Sequence, residues 1–183
     1  MNKEFANQSG SSLIELMAVL LMVSIMMVIA VPLIQRQLAD RQLDMVARNF
    51  VRHANFARNQ ALYLGEFVQL VPRNERYWDD GWIVQSGCFE KSGSEPCTTK
   101  NWLSQESVFP VYFKNQAFAD PHSGRKGILF NSAGAAKTSR GGFVANRLIL
   151  GHHNDPVLER QIILGGGGRW RICNPRLDRK NCK

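Results

Sequence analysis

The sequence predicts an α+β fold: a long N-terminal helix, membrane-spanning in its first half and amphipathic in its second, packed on a mainly antiparallel β-sheet domain. Three observations predict it. Residues 16–34 carry no charge, apolar residues then recur at steps of three and four as far as Ala61, and beyond Gly65 the period shortens to apolar or alternating runs.

The uncharged run comes first. Its nineteen residues cover roughly 28 Å at about 1.5 Å per residue, close to the roughly 30 Å hydrocarbon core of a bilayer. The run exceeds the roughly 7 to 15 residues of a signal-peptide core, and the leader before it holds Glu4 as well as Lys3. No small-x-small cleavage site closes it. Glu15 stands at its mouth, where a carboxylate is costly without a partner or access to the interface, so this acid calls for a functional explanation.

The stretch Gly10-Ser11-Ser12-Leu13-Ile14-Glu15 resembles the type IV prepilin signature, with Ser11 where Phe is usual. The resemblance implies cleavage between Gly10 and Ser11 by a prepilin peptidase, N-methylation of Ser11, and pairing of Glu15 with the amine of a neighbouring pilin during assembly. It also accounts for Pro32, at a position where pilins commonly carry a proline that kinks or weakens the helix. The implied organisation is a leader over residues 1–10, a transmembrane helix over 11–34, an amphipathic helix over 35–64 and a pilin-like β-rich domain over 65–183. The implied location is the inner membrane, single-pass with a periplasmic domain, before incorporation into an extracellular pilus.

In the second helical segment Leu43, Val46, Phe50, Ala54, Ala57 and Ala61 draw one apolar stripe. Arg36, Arg41, Arg48, Arg52 and Arg58 take the other faces, read as a solvated surface, and Gly65 is the expected stop. Strands are expected at 67–71, 81–84, 108–113, 127–130, 142–150, 161–164 and 169–173, with surface loops at 88–99 and 119–126. One helix followed by strands argues that the stripe packs on a sheet.

About 150 residues remain after the leader and anchor, enough for one domain with its own core. Cys88, Cys97, Cys173 and Cys182 form two pairs with the same spacing and no zinc pattern around them. In an oxidising periplasm, Cys88 with Cys97 and Cys173 with Cys182 is the most local of the three connectivities.

Three further pieces, Trp78-Asp79-Asp80-Gly81-Trp82, Phe130-Asn131-Ser132-Ala133-Gly134 and Gly168-Arg169-Trp170-Arg171, resemble the GspH/FimT group of minor pilins and pseudopilins. The last resembles the Gly-Arg-x-Arg motif of FimT proteins, minor pilins implicated in binding DNA during natural transformation. In a strand, Trp170 and Ile172 face one way while Arg169 and Arg171 face the other, about 6.6 Å apart. The chain has a net charge of +8, and its last nineteen residues hold six bases against Asp178 alone. Phosphate contacts from such residues bind without regard to sequence and weaken with salt.

The expected DNA-binding residues are therefore Gly168, Arg169, Arg171, Arg176, Arg179 and Lys180. Four scattered histidines, no nucleophile motif and a glycine run without Lys-Ser/Thr predict no enzyme, no metal and no cofactor. The expected partners are DNA, through its phosphate backbone, other pilins of the fibre, the prepilin peptidase and the inner membrane. The competing reading is a structural minor pilin of the FimU kind, or a type II secretion pseudopilin, that primes fibre assembly without binding DNA.

Overall fold

A computed structural model describes residues 12–74, 76–87, 99–115, 118–119, 126–138, 140–142, 144–165, 168–180 and 182. Gly10, Ser11, Cys88 and Cys97 lie outside the described residues. Helix α1 runs from Leu13 to Leu64, and the chain divides into two compact units at Leu38/Ala39.

In the first unit, the carbonyl of Ser12 accepts the first helical bonds from the N–H groups of Glu15 and Leu16. Glu15 thus sits in the first turn, where a carboxylate complements the positive end of the helix dipole. The apolar stretch has a mean hydropathy of 2.8, long and apolar enough to cross a membrane. The helix continues through Pro32, although proline supplies no N–H to the turn before it.

In the second unit, α1 buries Ala39, Leu43, Ala47, Phe50, His53, Ala54, Ala57 and Ala61. Five of these are alanines, three of them in the expected stripe, which keeps that face of the helix narrow. Gly65 ends the helix with φ +68°, its N–H bonded to the Ala61 carbonyl.

Among the described residues, nine strands form two antiparallel sheets. The first has β1 (Val68–Pro72), β2 (Trp82–Ser86), β3 (Lys100–Gln105), β5 (Ile128–Phe130) and β6 (Ala136–Lys137), in the order β3-β2-β1-β5-β6. The second has β4 (Val111–Phe113), β7 (Asn146–His152), β8 (Asp155–Leu164) and β9 (Trp170–Cys173), in the order β4-β7-β8-β9. Seven of these strands overlap the expected ones. β3 and β6 were not expected, and β8 begins six residues before the expected 161–164 segment because His153 and Asn154 form a tight turn from β7.

Both sheets share one core with α1. The Phe50 ring lies 5.3 Å from Trp78, 5.1 Å from Trp82, 6.1 Å from Phe113 and 5.8 Å from Trp170 between centroids. Three of these pairs are edge-to-face, the favoured geometry for aromatic quadrupoles. Trp78 lies in a 3₁₀ turn, Trp78–Asp80, so Phe50 joins the helix, that turn and both sheets. Gly81 follows the turn at φ +91°, and a Cβ there would meet the Gln105 carbonyl oxygen at 2.1 Å. This is the physical reason for the glycine in Asp80-Gly81-Trp82.

Buried polar contacts fasten α1 further. Arg160 of β8, with its side chain only 8% exposed, donates to Asp40 at 2.8 Å and lies 3.8 Å from Asp44. The Trp82 indole N–H donates to Nδ1 of His53 at 2.9 Å. His152 accepts the Asn154 N–H on Nδ1, which leaves Nε2 as the donor to Gln42 Oε1 at 2.7 Å.

Burial lowers the pKa of both histidines, with the nearby Arg52 adding to the effect at His53 and His153 at His152. The native state therefore favours neutral imidazoles, and the unfolded state binds the extra protons as pH falls. Stability is full above the ordinary histidine value of about 6.5 and declines as pH drops from there towards the lowered native values. Thermal unfolding of the full chain in non-ionic detergent should show a lower midpoint at pH 5 than at pH 7.5; equal midpoints would contradict this. In the same assay, Phe50→Ala should cost about 3–5 kcal/mol, as expected for truncating a fully buried aromatic, and a loss below about 1 kcal/mol would show that the four-ring contact is dispensable.

Candidate nucleic-acid interface

Gly165 and Gly168 flank the turn between β8 and β9. The Gly168 N–H donates to the Gly165 carbonyl at 3.0 Å, the Gly165 N–H donates to the Arg169 carbonyl at 2.9 Å, and Gly168 has φ +72°. A non-glycine residue would be strained there. The turn delivers Arg169 to the start of β9, the edge strand of the second sheet.

Alternation then separates the motif onto two faces. Trp170 and Ile172 are half-buried and pack against the core, whereas Arg169 and Arg171 are exposed. Trp170 contacts Phe50 and Phe118 at 5.8 and 6.0 Å, so its ring is a core element. Arg176, Arg179 and Lys180 are also exposed.

Cys173 faces the same side as Arg171 and is bonded to Cys182. These two cysteines form a small apolar cluster with Ile163 of β8, separate from the main core. The covalent link ties the C-terminal tail to the strand that carries Arg171, so the basic residues of the tail are held near the motif. Within the loop, Asn174 is the organiser: its carbonyl accepts from the Leu177 and Asp178 N–H groups, and its side chain accepts from the Arg176 N–H.

The helix arginines do not behave alike. Arg48 and Arg52 are exposed, bonded to Asp44 and Asn49, and flank a shallow groove of about 590 Å³ that reaches Ile172 of β9. Arg58 departs from the expected solvated face. It is half-buried, its Nε is buried with no hydrogen-bond partner among the described residues, and its guanidinium lies 3.9 Å from where a Gly168 Cβ would stand. A third arginine thus reaches the Gly168-Arg169 turn from the helix, a neighbour that only the tertiary fold supplies. Among the described residues, no group of three His, Cys, Asp or Glu side chains could hold a metal ion.

The architecture has relatives. The type IV minor pilin FimU of Pseudomonas aeruginosa is similar in two crystal forms. One gives a TM-score of 0.53 at 11% identity, covering 73% of this chain and 89% of FimU; the other gives 0.51 at 12%, covering 72% and 92%. The minor pseudopilin EpsH from the type 2 secretion system of Vibrio cholerae gives a TM-score of 0.50 at 10% identity, covering 73% of this chain and 98% of EpsH. At these identities the likeness concerns the fold. No curated protein matches the chain. The family model described as type II transport protein GspH matches residues 46–174, from the buried half of α1 to the end of β9. The chain belongs to the GspH family.

Proposed function

We propose that this protein is a minor type IV pilin that binds extracellular DNA, without sequence preference, through its basic C-terminal face for uptake in natural transformation. The observation that carries the reading is the exposure of Arg169 and Arg171 on one side of β9, on the face to which the Cys173–Cys182 disulfide ties Arg176, Arg179 and Lys180. Guanidinium and ammonium groups so arranged neutralise phosphates and need no base contacts.

On this reading the apolar helix anchors the precursor in the inner membrane with its domain in the periplasm. A prepilin peptidase cuts between Gly10 and Ser11, Ser11 is methylated, and Glu15 pairs with the amine of the next pilin as the subunit enters the fibre. The family's description as a type II transport protein favours a second reading, a pseudopilin or FimU-like subunit that primes assembly and leaves DNA alone.

The full chain in non-ionic detergent, titrated with labelled DNA by fluorescence anisotropy across a salt series, separates the two. Binding should weaken with salt, and Arg169→Ala/Arg171→Ala should reduce the slope of log K against log salt by about 1.4 to 1.8, two phosphate contacts' worth. No binding at low salt by folded, oxidised protein favours the assembly reading. Processing is tested separately: Gly10→Val should leave a full-length precursor in cells that hold the peptidase, and a product of normal mature size would contradict the cleavage assignment.

A further inference from the structure

The pairing of β7, β8 and β9 places a basic residue where no linear motif shows it. Arg147 of β7 is directly opposite Ile163 of β8, and Ile163 is directly opposite Arg171 of β9. Directly opposed residues of antiparallel strands share a face, so Arg147, Ile163 and Arg171 form a row across the outer face of the second sheet. Two strand spacings separate the arginines, about 9.6 Å. Both are exposed, whereas Ile163 between them is 9% exposed and touches the disulfide cluster.

We infer that this outer face, with the exposed Arg171 and Arg147 on either side of the disulfide cluster that covers Ile163, is the floor on which the phosphate backbone of DNA lies, with Arg147 as a binding residue alongside the C-terminal motif. The inference rests on the DNA-binding reading above and extends its site from one edge strand to three strands. Arg169 and Arg171 stand about 6.6 Å apart along β9, and Arg147 adds a third cation across the strands. The resulting surface is wide enough to hold a backbone that crosses the sheet as well as one that follows the tail.

The local chemistry favours it. Asn115 clamps the backbone at this end of β7: its amide N–H donates to the Arg147 carbonyl at 2.8 Å and its oxygen accepts the Ile149 N–H at 2.7 Å. Among the described residues, the Arg147 guanidinium donates to the Gln161 side-chain oxygen at 3.4 Å, and the Gln161 amide in turn donates to Glu159 at 2.8 Å. Glu159, an acid on this face, lies at the other end, opposite Gly151, and is paired with Lys114 at 3.2 Å. Arg147 and Arg171 thus stand at the end of the face away from the Lys114–Glu159 ion pair.

The test is DNA affinity and its salt slope for the full-length protein in non-ionic detergent, with Arg147→Ala, Arg171→Ala and Lys100→Ala compared. Lys100 is an exposed base on β3, in the other sheet. Arg147→Ala should lower the slope by about 0.7 to 0.9 and weaken binding about five- to eightfold at 0.1 M salt, the loss of one phosphate contact, while Lys100→Ala changes neither. If Arg171→Ala weakens binding and Arg147→Ala matches Lys100→Ala, the three-strand floor is wrong although DNA binding stands. If the unsubstituted chain binds no DNA, the reading beneath it fails and the inference falls with it.

Discussion

The seat of Phe50 among Trp78, Trp82, Phe113 and Trp170 is the contact on which the rest of the second unit depends. Alanines at 47, 54, 57 and 61 leave the helix face narrow, and Phe50 is the large side chain near its middle. It holds both sheets against a single helix, so the inner face of each sheet is used up in one core. What remains for function is therefore on the outer faces, at strand edges and in loops. The same ring fixes Trp170, and alternation along β9 then turns Arg169 and Arg171 to the outside.

Polar contacts complete what the aromatic cluster begins. Arg160 reaches Asp40 and Asp44, His152 reaches Gln42, and Trp82 reaches His53. Buried groups of this kind are favourable only when paired, so each link rewards one placement of helix and strand over neighbouring ones. They lie along α1 from Asp40 to His53, spacing the attachment over several turns. The C-terminal disulfide serves a comparable role outside the core, joining the tail to β9 where hydrophobic burial is confined to Ile163 and the two cysteines.

Much of this was legible in the sequence. The stripe from Leu43 to Ala61 follows helical periodicity, and all its members are buried except Val46, which packs half-buried on the core. Most strands announced themselves by apolar alternation bounded by glycine and asparagine. β3 did not, because an edge strand reading Lys-Asn-Trp-Leu-Ser-Gln buries little and carries no apolar face. The start of β8 was hidden by Asp155 and Pro156, which look like turn residues but begin a strand. The basic motif was readable as a linear pattern; Arg58 and Arg147 were not, since one joins it through helix packing and the other through cross-strand register.

The central claim is that one outer face of the second sheet, together with the tail tied to it, meets the DNA backbone. Covalent modification of arginines in the full-length oxidised protein, with and without DNA and read residue by residue by mass spectrometry, addresses it directly. DNA should protect Arg147, Arg169, Arg171, Arg176 and Arg179, while Arg73 and Arg76, exposed in the loop after β1, keep their reactivity. Equal protection of all seven, or protection of Arg73 and Arg76 alone, would contradict the claim.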